Sequence, residues 1–298
     1  MYNKCGNIGY PERRSSMLIG NKNFDLKNSA YVCGILNVTP DSFSDGGQFD
    51  NLDAALFHTE EMINDGASII DIGGESTRPG YTMISDDEEI ARVVPVIRSI
   101  KERFDIPVSL DTYKAGVASA GIEAGADLIN DIWGLMYNTN TASDGSIISP
   151  MAALLAKAGL PCCLMHNRKS AEYSDFLSDY LDDNRKIIDC ALKHGISKDK
   201  IILDPGVGFA KSLEQNLMAI NTVDKLCELG YPVLLGTSRK SVVGLTLDLP
   251  KNERVEGTVA TSVIGLMRGA SIFRVHDVKE NFRALKMAAA VIGKSFNK

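Results

Sequence analysis

Two long polar loops hold many of the side chains in this chain that could carry out chemistry. The first spans residues 37–47 and reads NVTPDSFSDGG, and the second spans residues 71–80 and reads DIGGESTRPG. Both combine charged and hydroxyl side chains with glycine. A connection that only reversed the chain would be shorter and would not need an aromatic residue such as Phe43. Polar loops of this length on a rigid scaffold are typical of binding and catalytic sites.

Other polar residues stand where apolar segments of the chain end. In chain order these residues are Asn37, Asp71, Asp111, Asn130 with Asp131, His166, Asp204, Ser238 with Arg239 and Lys240, and Arg274 with His276. A single aspartate in such a place is more often the N-cap of a helix than a catalyst, and Asp111 or Thr112 could have that role alone. An ordinary scaffold does not need a polar group at the end of every apolar segment. The full set therefore indicates a ring of functional side chains.

The elements that must position this ring alternate along the chain between apolar strands and amphipathic helices. Strands are predicted at 31–37, 68–72, 107–111, 127–131, 161–166, 200–204, 232–236 and 271–275. Helices are predicted at about 52–65, 86–103, 114–123, 148–158, 175–194, 213–229, 253–268 and 278–293. Strict alternation predicts a parallel sheet, and eight strand–helix pairs predict an α/β fold of the closed (β/α)8 TIM barrel type. We expect residues 1–30 to be an N-terminal extension that forms a small hairpin over one barrel end, residues 31–298 to be one catalytic domain, and residues 138–146 to be a mobile surface loop.

In a TIM barrel the active site lies at the carboxyl ends of the strands, and the loops after strands seven and eight often bind phosphate. Arg239 and Lys240 follow the predicted seventh strand, and Arg274 and His276 end the eighth. These four groups predict an anion site. The segment DPGVGFAK at residues 204–211 could cradle a phosphate or could be a tight turn capped by its aspartate, and it lacks the GxxxxGK[ST] pattern of nucleotide triphosphatases.

Composition excludes several classes of function. The chain has 298 residues and a formal net charge of −6, which argues against a nucleic-acid partner or an anionic membrane surface. No segment approaches the roughly 20 apolar residues that span a bilayer, and the N-terminus does not resemble a leader, so we expect a cytoplasmic protein with six reduced cysteines. No His, Cys or Glu spacing predicts a zinc site. Magnesium held by few protein ligands leaves little trace in a sequence and stays open.

Taken together, the motifs resemble those of the dihydropteroate synthases, a family of pterin-binding barrels, over residues 31–293. Besides the two loops, the resemblance rests on Asp111-Thr112, Asn130-Asp131-Ile132, Met165-His166, the DPGVGF of residues 204–209, the SRKS of residues 238–241 and the RVHD of residues 274–277. It implies a transferase of folate biosynthesis that condenses 6-hydroxymethyl-7,8-dihydropterin diphosphate with p-aminobenzoate. The products are 7,8-dihydropteroate and diphosphate, formed by C–O cleavage to a pterin cation and attack by the arylamine. The resemblance further implies a sulfonamide target that is a homodimer through its late barrel helices.

The resemblance also implies roles for individual residues. The implied catalytic residues are Asp45, Asp111, Asp204, Lys240, Arg274 and His276. The implied pterin-binding residues are Asp111, Asn130, Ile132, Met165, Asp204, Phe209, Lys240 and Arg274. Diphosphate would be bound by Asn37, Arg78, Arg274 and His276, and Asn37 would also be a ligand of the cofactor Mg²⁺. The p-aminobenzoate would be bound by Phe43, Thr77, Arg78, Pro79, Lys240 and Ser241.

The chain departs from the family pattern at three places. Asn167 follows Met165-His166 where methionine or a similar residue is expected, Ala210 stands where glycine is common, and the WGLM of residues 133–136 replaces a more usual run of small residues. Three other functions stay open at this point. A barrel that carries methyltetrahydrofolate for a corrinoid methyltransferase would use the same pterin contacts, without the second loop or the diphosphate site. A silent pterin-binding paralogue would bind without turnover. A TIM barrel enzyme could also act on another phosphorylated substrate.

Overall fold

Eight parallel strands form the centre of the computed structural model, which describes residues 16–39, 48–76, 82–143 and 145–296. The strands are, in chain order, β1 (Met17–Ile19), β2 (Lys22–Phe24), β3 (Ser29–Asn37), β4 (Ile69–Gly73), β5 (Val108–Asp111), β6 (Leu128–Asp131), β7 (Asn140–Thr141), β8 (Ile147–Ile148), β9 (Cys162–Met165), β10 (Ile201–Asp204), β11 (Leu234–Leu235), β12 (Ile272–Val275) and β13 (Ser295–Phe296). The parallel strands pair in the order β10, β9, β6, β5, β4, β3, β12 and β11. A parallel bridge between Leu203 and Val233 joins the two outer strands of this order and closes the barrel. The predicted TIM barrel is confirmed.

The helices surround this barrel. They are α1 (Gln48–Asp65), α2 (Asp86–Arg103), α3 (Ala115–Ala124), α4 (Pro150–Ala158), α5 (Phe176–Lys193), α6 (Leu213–Asn221), α7 (Val223–Cys227), α8 (Ser241–Leu247), α9 (Val255–Met267) and α10 (Val278–Val291). Local chemistry sets several helix starts. The Ser85 side chain accepts a hydrogen bond from the Glu88 backbone N–H, and Ser212 and Gln215 form a capping box.

Each of the eight predicted barrel strands is present, with bounds that differ from the prediction by no more than two residues. The helix predicted at 213–229 is wrong in one respect, because it breaks at Thr222. The Thr222 hydroxyl donates to the Met218 carbonyl at 2.8 Å, which competes with regular helix geometry and ends α6 there. Helix α8 was not predicted, because seven residues are too few to show a helical period.

The amino-terminal end of the barrel is filled with apolar side chains. Inward-facing residues of the barrel strands meet the side chains of the β1–β2 hairpin in one buried cluster: Met17, Ile19, Phe24, Leu26, Tyr31, Cys33, Ile69, Leu128, Cys163, Ile202, Leu234 and Ile272. The hairpin expected within residues 1–30 is therefore formed by residues 17–24, and residues 1–15 lie outside the described part. Because the hairpin plugs this end, a ligand can enter the barrel only from the carboxyl ends of the strands.

Residues 138–146, which we expected to be a mobile surface loop, include a short strand. They contribute β7, which pairs antiparallel with β8 through Asn140 opposite Ile148 and Thr141 opposite Ile147. The described side chains of this segment are largely exposed, so the expectation of a surface position is confirmed. The pair lies between β6 and α4 in the chain, on the side of the barrel where the strands end.

Candidate functional site

The alternation of side chains along each strand decides which polar residues point into the barrel. Successive residues of a strand face opposite sides of the barrel wall. The strand residues that point into the buried cluster at the amino-terminal end therefore show which later residues of each strand also point inward. On β6, Leu128 faces inward, and Asn130 therefore does too, whereas Asp131 faces the helices. The same rule gives one inward-facing set at the open end: Asn37, Asp71, Asp111, Asn130, Met165, Asp204 and Arg274.

A largely buried guanidinium, with its side chain 17% exposed, joins two of these inward carboxylates at the centre of the site. Arg274 Nε donates to Asp71 Oδ2 and Arg274 Nη2 donates to Asp111 Oδ2, both at 2.5 Å. Asp71 is 1% exposed and also accepts a hydrogen bond from the Ser109 hydroxyl at 2.5 Å. The Asn130 amide nitrogen lies 3.5 Å from the same carboxylate. Asp71 thus holds Arg274, Ser109 and Asn130 together on the barrel floor.

Asp111 is left with one unused acceptor. Its Oδ1 atom is buried and has no hydrogen-bond partner among the described residues. Burial raises the pKa of Asp111 to about 7, an effect that Arg274 reduces and that the nearby charge of Asp71 increases. A buried polar atom without a partner costs free energy, so its presence in an open site points to a ligand that donates a hydrogen bond to it.

Lys240 lies on the other side of Arg274 and faces the loop after β10. Its ammonium donates to the Val207 carbonyl at 2.6 Å and lies 5.0 Å from the centre of the Phe209 ring. Burial lowers the pKa of Lys240 to about 8, although the Asp204 carboxylate partly counters that effect. Burial likewise raises the pKa of Asp204, whose Oδ1 accepts from the Gly206 backbone N–H at 2.6 Å.

Two glycines keep the floor of the site open. A Cβ atom built on Gly73 would lie 3.8 Å from both Asn37 Oδ1 and Asp111 Cβ. One built on Gly236 would lie 3.7 Å from Lys240 Nζ and 3.8 Å from Arg274 Cβ. A larger side chain at either position would fill space between the polar groups, so these glycines let a planar ligand approach the strand backbone.

One wall of the site is apolar. Tyr113, Ile132 and Met165 form a small buried cluster, and Trp133, Tyr137 and Phe209 pack against it. The Tyr113 and Tyr137 rings meet edge to face with their centres 4.5 Å apart. The site therefore combines a charged floor with a flat aromatic and aliphatic side, which suits a planar heterocycle with several hydrogen-bonding atoms.

Comparisons with known proteins agree with this geometry. The family model described as "Pterin binding enzyme" matches residues 33–276. A dihydropteroate synthase from Clostridium beijerinckii is 56% identical over 277 residues, which are 93% of this chain and 99% of that protein. The structure of the dihydropteroate synthase from Clostridium difficile in the presence of pteroic acid matches with a TM-score of 0.84 and 47% identity, over 90% of this chain and 98% of that one. The Xanthomonas albilineans enzyme with 4-aminobenzoic acid matches with a TM-score of 0.86 and 37% identity, over 94% of this chain and 99% of that one.

The chain belongs to the dihydropteroate synthase family. The relatives reported above are synthases and not methyl carriers, so they support the first of the functions considered from the sequence. The barrel of this synthase brings together eight of the residues implied by the family resemblance, which lie on its floor and along its apolar wall: Asp111, Asn130, Ile132, Met165, Asp204, Phe209, Lys240 and Arg274.

His276 and Asn37 lie at the strand ends beside this floor. The Ser238 hydroxyl accepts from the His276 backbone N–H and lies 3.0 Å from His276 Nδ1, so it can donate to that ring nitrogen. The ring hydrogen of a neutral His276 then stands on Nε2, where it is a donor suited to a phosphate oxygen. Ser241 is the first residue of α8 and is exposed.

Several residues of the synthase motifs lie outside the described part of the chain. They are Phe43, Asp45, Thr77, Arg78 and Pro79. Their roles toward p-aminobenzoate, diphosphate and catalysis stay predictions.

Three of the polar strand ends do not face the site. Both Asp131 oxygens accept backbone N–H groups, from Trp133 at 2.8 Å and from Leu135 at 2.7 Å. His166 is fully buried and faces α5, and Arg239 is held in an ion pair by Asp277. The expectation of one continuous functional ring was therefore too broad. Side chains alternate along a strand, and this alternation places Asp131 and His166 on the outer face of the barrel, toward the helices.

A second buried charge network was missed in the sequence. The Lys114 ammonium forms ion pairs with Glu75 and, at 2.8 Å, with Glu89, and donates to the Ile84 carbonyl at 2.7 Å. The Tyr113 hydroxyl donates to Glu75 at 2.6 Å. Burial alone would lower the pKa of Lys114, but its two glutamate partners outweigh burial and raise it. The network joins Glu75 of the second polar loop and Ile84 after that loop to Lys114, which follows β5.

We expect the Lys114→Met variant to lose about 3–5 kcal/mol of unfolding free energy, because it leaves two buried glutamates without their cation. Chemical denaturation monitored by circular dichroism measures this loss. Lys225→Met is the matched control, since Lys225 pairs with Glu228 on a partly exposed surface and should lose much less. Equal denaturation midpoints for the two variants would contradict the importance of the network.

Among the described residues there is no group of three or more His, Cys, Asp or Glu side chains that could hold a metal ion. A magnesium site of the family type needs fewer protein ligands, because diphosphate oxygens and waters supply the rest. The Asn37 amide oxygen and the Asp111 side chain both lie 3.8 Å from the position that a Cβ atom on Gly73 would take, and as a hard oxygen donor Asn37 fits such a site.

Proposed function

We propose that this chain catalyses the reaction of its family, joining 6-hydroxymethyl-7,8-dihydropterin diphosphate to p-aminobenzoate, with the floor of the barrel as the pterin site. The observation that carries the assignment of the site is the unpartnered Asp111 Oδ1 between Arg274 and the apolar wall. A pterin edge carries ring N–H and amino groups that donate hydrogen bonds, and carboxylates accept them. Asp204 and Asn130 supply further acceptors, and Lys240 supplies a donor.

The apolar wall and Arg274 support the same orientation. Ile132, Met165 and Phe209 offer flat contacts to a ring system, and the planar guanidinium of Arg274 can stack on its other face. Arg274 stays charged beside Asp71, so its stacking does not require the loss of its buried ion pair. The ligand then donates to the free Oδ1 of Asp111, while the Oδ2 of Asp111 stays paired with Arg274.

The reaction breaks the C–O bond between the pterin methylene carbon and diphosphate, and the electron pair leaves with the diphosphate. The carbon is left as a pterin cation, and the nearby carboxylates of Asp111 and Asp204 stabilise its charge in a buried site. Arg274 and the Nε2–H of His276 stabilise the negative charge of the departing diphosphate. The p-aminobenzoate nitrogen then forms the new C–N bond and loses one proton.

We propose Mg²⁺ as the cofactor, held by Asn37 together with diphosphate oxygens. When bound, it supplies Lewis-acid stabilisation of the leaving group. The p-aminobenzoate is proposed to lie toward Ser241 and Lys240, together with Phe43, Thr77, Arg78 and Pro79 of the two polar loops. Asp45 is proposed as a further catalytic residue on the first of these loops.

Diphosphate release by the purified protein tests the proposed function. The assay supplies the dihydropterin diphosphate and Mg²⁺, with and without p-aminobenzoate, and mass spectrometry detects dihydropteroate. Product that requires both substrates supports the synthase activity. Tight pterin binding without product would instead indicate a silent pterin-binding protein, and omission of Mg²⁺ tests the cofactor.

We propose a homodimer that forms through the late barrel helices. Helices α8 and α9 carry exposed apolar side chains, with Leu245 and Met267 each 67% exposed and Ile264 43% exposed. Apolar side chains clustered on neighbouring helices are typical of a surface that a protein partner covers, and a second copy of this chain would bury it symmetrically.

The Met267→Lys variant is expected to shift the mass in solution from that of a dimer to that of a monomer, because it buries a charge in the proposed interface. Light scattering after gel filtration measures this mass. Phe57→Lys is the control, since Phe57 is similarly exposed but lies on α1, away from α8 and α9. A wild-type protein that is monomeric at all concentrations tested would overturn the proposal.

We propose the cytoplasm as the compartment of this enzyme. Five described cysteines are buried and unbridged, which suits a reducing environment. Within the described ranges, no helix has the length and apolar character to cross a membrane.

A further inference from the structure

The turn after β10 sets the position of two pterin-site groups. It spans residues 205–210. Its Val207 carbonyl accepts a hydrogen bond from the Lys240 ammonium, and its Phe209 ring lies beside that ammonium. Its backbone has positive φ at three residues, +67° at Gly206, +88° at Gly208 and +41° at Ala210. Ala210 adopts this conformation without the freedom of glycine, so contacts from outside the turn must hold it.

Lys211 supplies those contacts from beneath the turn. Its ammonium lies 2.9 Å from the Gly206 carbonyl oxygen, 3.1 Å from the Phe209 carbonyl oxygen and 3.0 Å from His166 Nδ1. Burial lowers the pKa of Lys211 to about 7. In its protonated form the side chain has three N–H donors, which match these three acceptors, and the His166 carbonyl oxygen lies farther away at 3.5 Å. Lys211 therefore ties both ends of the turn to the end of β9.

The neighbours of His166 determine which of its two ring nitrogens accepts a hydrogen bond. Because its Nδ1 accepts from Lys211, its ring hydrogen must stand on Nε2, which lies 3.4 Å from Asp183 Oδ2 on α5. Burial lowers the pKa of His166 to about 4, so the ring is neutral and its Nδ1 stays an acceptor near neutral pH. Arg168 Nε in turn donates to Asp183 at 2.5 Å.

The turn approaches His166 so closely that only glycine fits at residue 206. A Cβ atom on Gly206 would lie 1.9 Å from the His166 carbonyl oxygen. The Tyr173 hydroxyl also donates to the Ala210 carbonyl at 3.0 Å, and Arg168 lies over the Tyr173 ring. The contacts thus run from Arg168 and α5 through His166 and Lys211 to the turn that carries Val207 and Phe209.

We propose that Lys211 and His166 are positioning residues for the pterin end of the site, acting through the 205–210 turn on Lys240 and Phe209. The inference rests on the proposed function, since it takes a pterin as the ligand of this floor. It assigns a role to a histidine that faces away from the ligand and to a lysine beneath the turn. The proposed effect is larger on pterin affinity than on p-aminobenzoate affinity, because Phe209 is assigned to the pterin alone whereas Lys240 lies toward both substrates.

Two substitutions of His166 separate its two hydrogen bonds. In His166→Asn, the side-chain oxygen can take the place of Nδ1 and still accept from Lys211. In His166→Gln, the longer amide reaches toward Asp183 and leaves Lys211 without this acceptor. We expect His166→Gln and Lys211→Met to weaken binding of 6-hydroxymethylpterin about tenfold or more, because they remove the buried hydrogen bond that holds the turn through Lys211. We expect His166→Asn to stay within about threefold of wild type, because it keeps that hydrogen bond.

Calorimetric titration with 6-hydroxymethylpterin gives the affinity, and steady-state assays give the KM of each substrate. Lys186→Met is the matched control, because Lys186 binds Asp183 from the exposed side of α5. This variant should leave the pterin affinity and the KM of each substrate unchanged. Circular dichroism checks that each variant is folded. If Lys211→Met does not fold, the comparison of His166→Asn with His166→Gln tests the proposal. Wild-type pterin affinity in His166→Gln, equal losses in both His166 variants, or a loss of p-aminobenzoate affinity of the same size would overturn the proposal. Since pterin binding does not need turnover, a failure of the synthase assay would remain distinguishable from a failure of this inference.

Discussion

Replacing Asp111 by asparagine is expected to lower kcat/KM for the dihydropterin diphosphate by about 10²–10³-fold, the usual effect of removing one electrostatic group from a buried transition-state site. The substitution keeps the shape of the side chain but removes the charge that would stabilise the pterin cation. It also puts an amide donor where a pterin donor should bind. Arg274 keeps Asp71 as its ion-pair partner, so the fold should be retained.

The pH dependence of the wild-type enzyme provides a second readout of the same residue. Because the pKa of Asp111 is about 7 in the ligand-free enzyme, kcat/KM should fall below that pH as the carboxylate takes up a proton. Because the pKa of Lys240 is about 8, kcat/KM should also fall above that pH as the ammonium loses its proton. We expect a narrow bell with its maximum between these values, and we expect the acid limb to disappear in Asp111→Asn.

Asp131→Asn is the matched control for this experiment. Asp131 is also a buried carboxylate at a strand end, and burial raises its pKa to about 6, but its oxygens bind the backbone and face away from the site. Its replacement should reduce stability while leaving the acid limb in place. Turnover within tenfold of wild type in Asp111→Asn, or an unchanged acid limb, would contradict the assigned role.

Replacing Arg274 by glutamine is expected to reduce both stability and activity. Asp71 and Asp111 would face each other in a buried site without their cation, and breaking a buried ion pair by removing one partner typically costs about 3–5 kcal/mol. Activity should be lost as well, because the leaving diphosphate and the pterin ring both lose a partner. Urea denaturation and the synthase assay measure the two effects.

A double variant separates the two effects of Arg274. Arg274→Gln combined with Asp71→Asn removes the repulsion between the carboxylates, so it should recover part of the lost stability without recovering activity. Arg239→Gln is the stability control, since its ion pair with Asp277 is partly exposed and should contribute less. Recovery of activity in the double variant would show that Arg274 acts only as a counterion of Asp71.

Much of the fold could be predicted because its signals are local. The strands are short apolar runs between glycine, proline and polar residues, and the long helices carry an apolar period, so both can be recognised without knowledge of their partners. The break at Thr222 and the short α8 could not be predicted, since the first depends on one side-chain hydrogen bond and the second is too short to show a period.

The residues of the candidate site likewise fall into two groups, those that the sequence predicted and those that only the structure revealed. The sequence by itself determined that Asn37, Asp111 and Asp204 end their strands and that Asn130 and Arg274 lie one residue before the ends of theirs. It did so because a polar residue at the end of an apolar run is a local feature, and it likewise determined the two polar loops. Only the tertiary structure decided that Asp71, two residues before the end of β4, is the partner of Arg274, which lies 203 positions away. It also decided that Asp131 and His166 face outward. The physical reason is that alternate residues of a strand face the inside and the outside of the closed barrel, and only the closed barrel defines which is which. The partners of an inward side chain then depend on the register between strands that are distant in the chain.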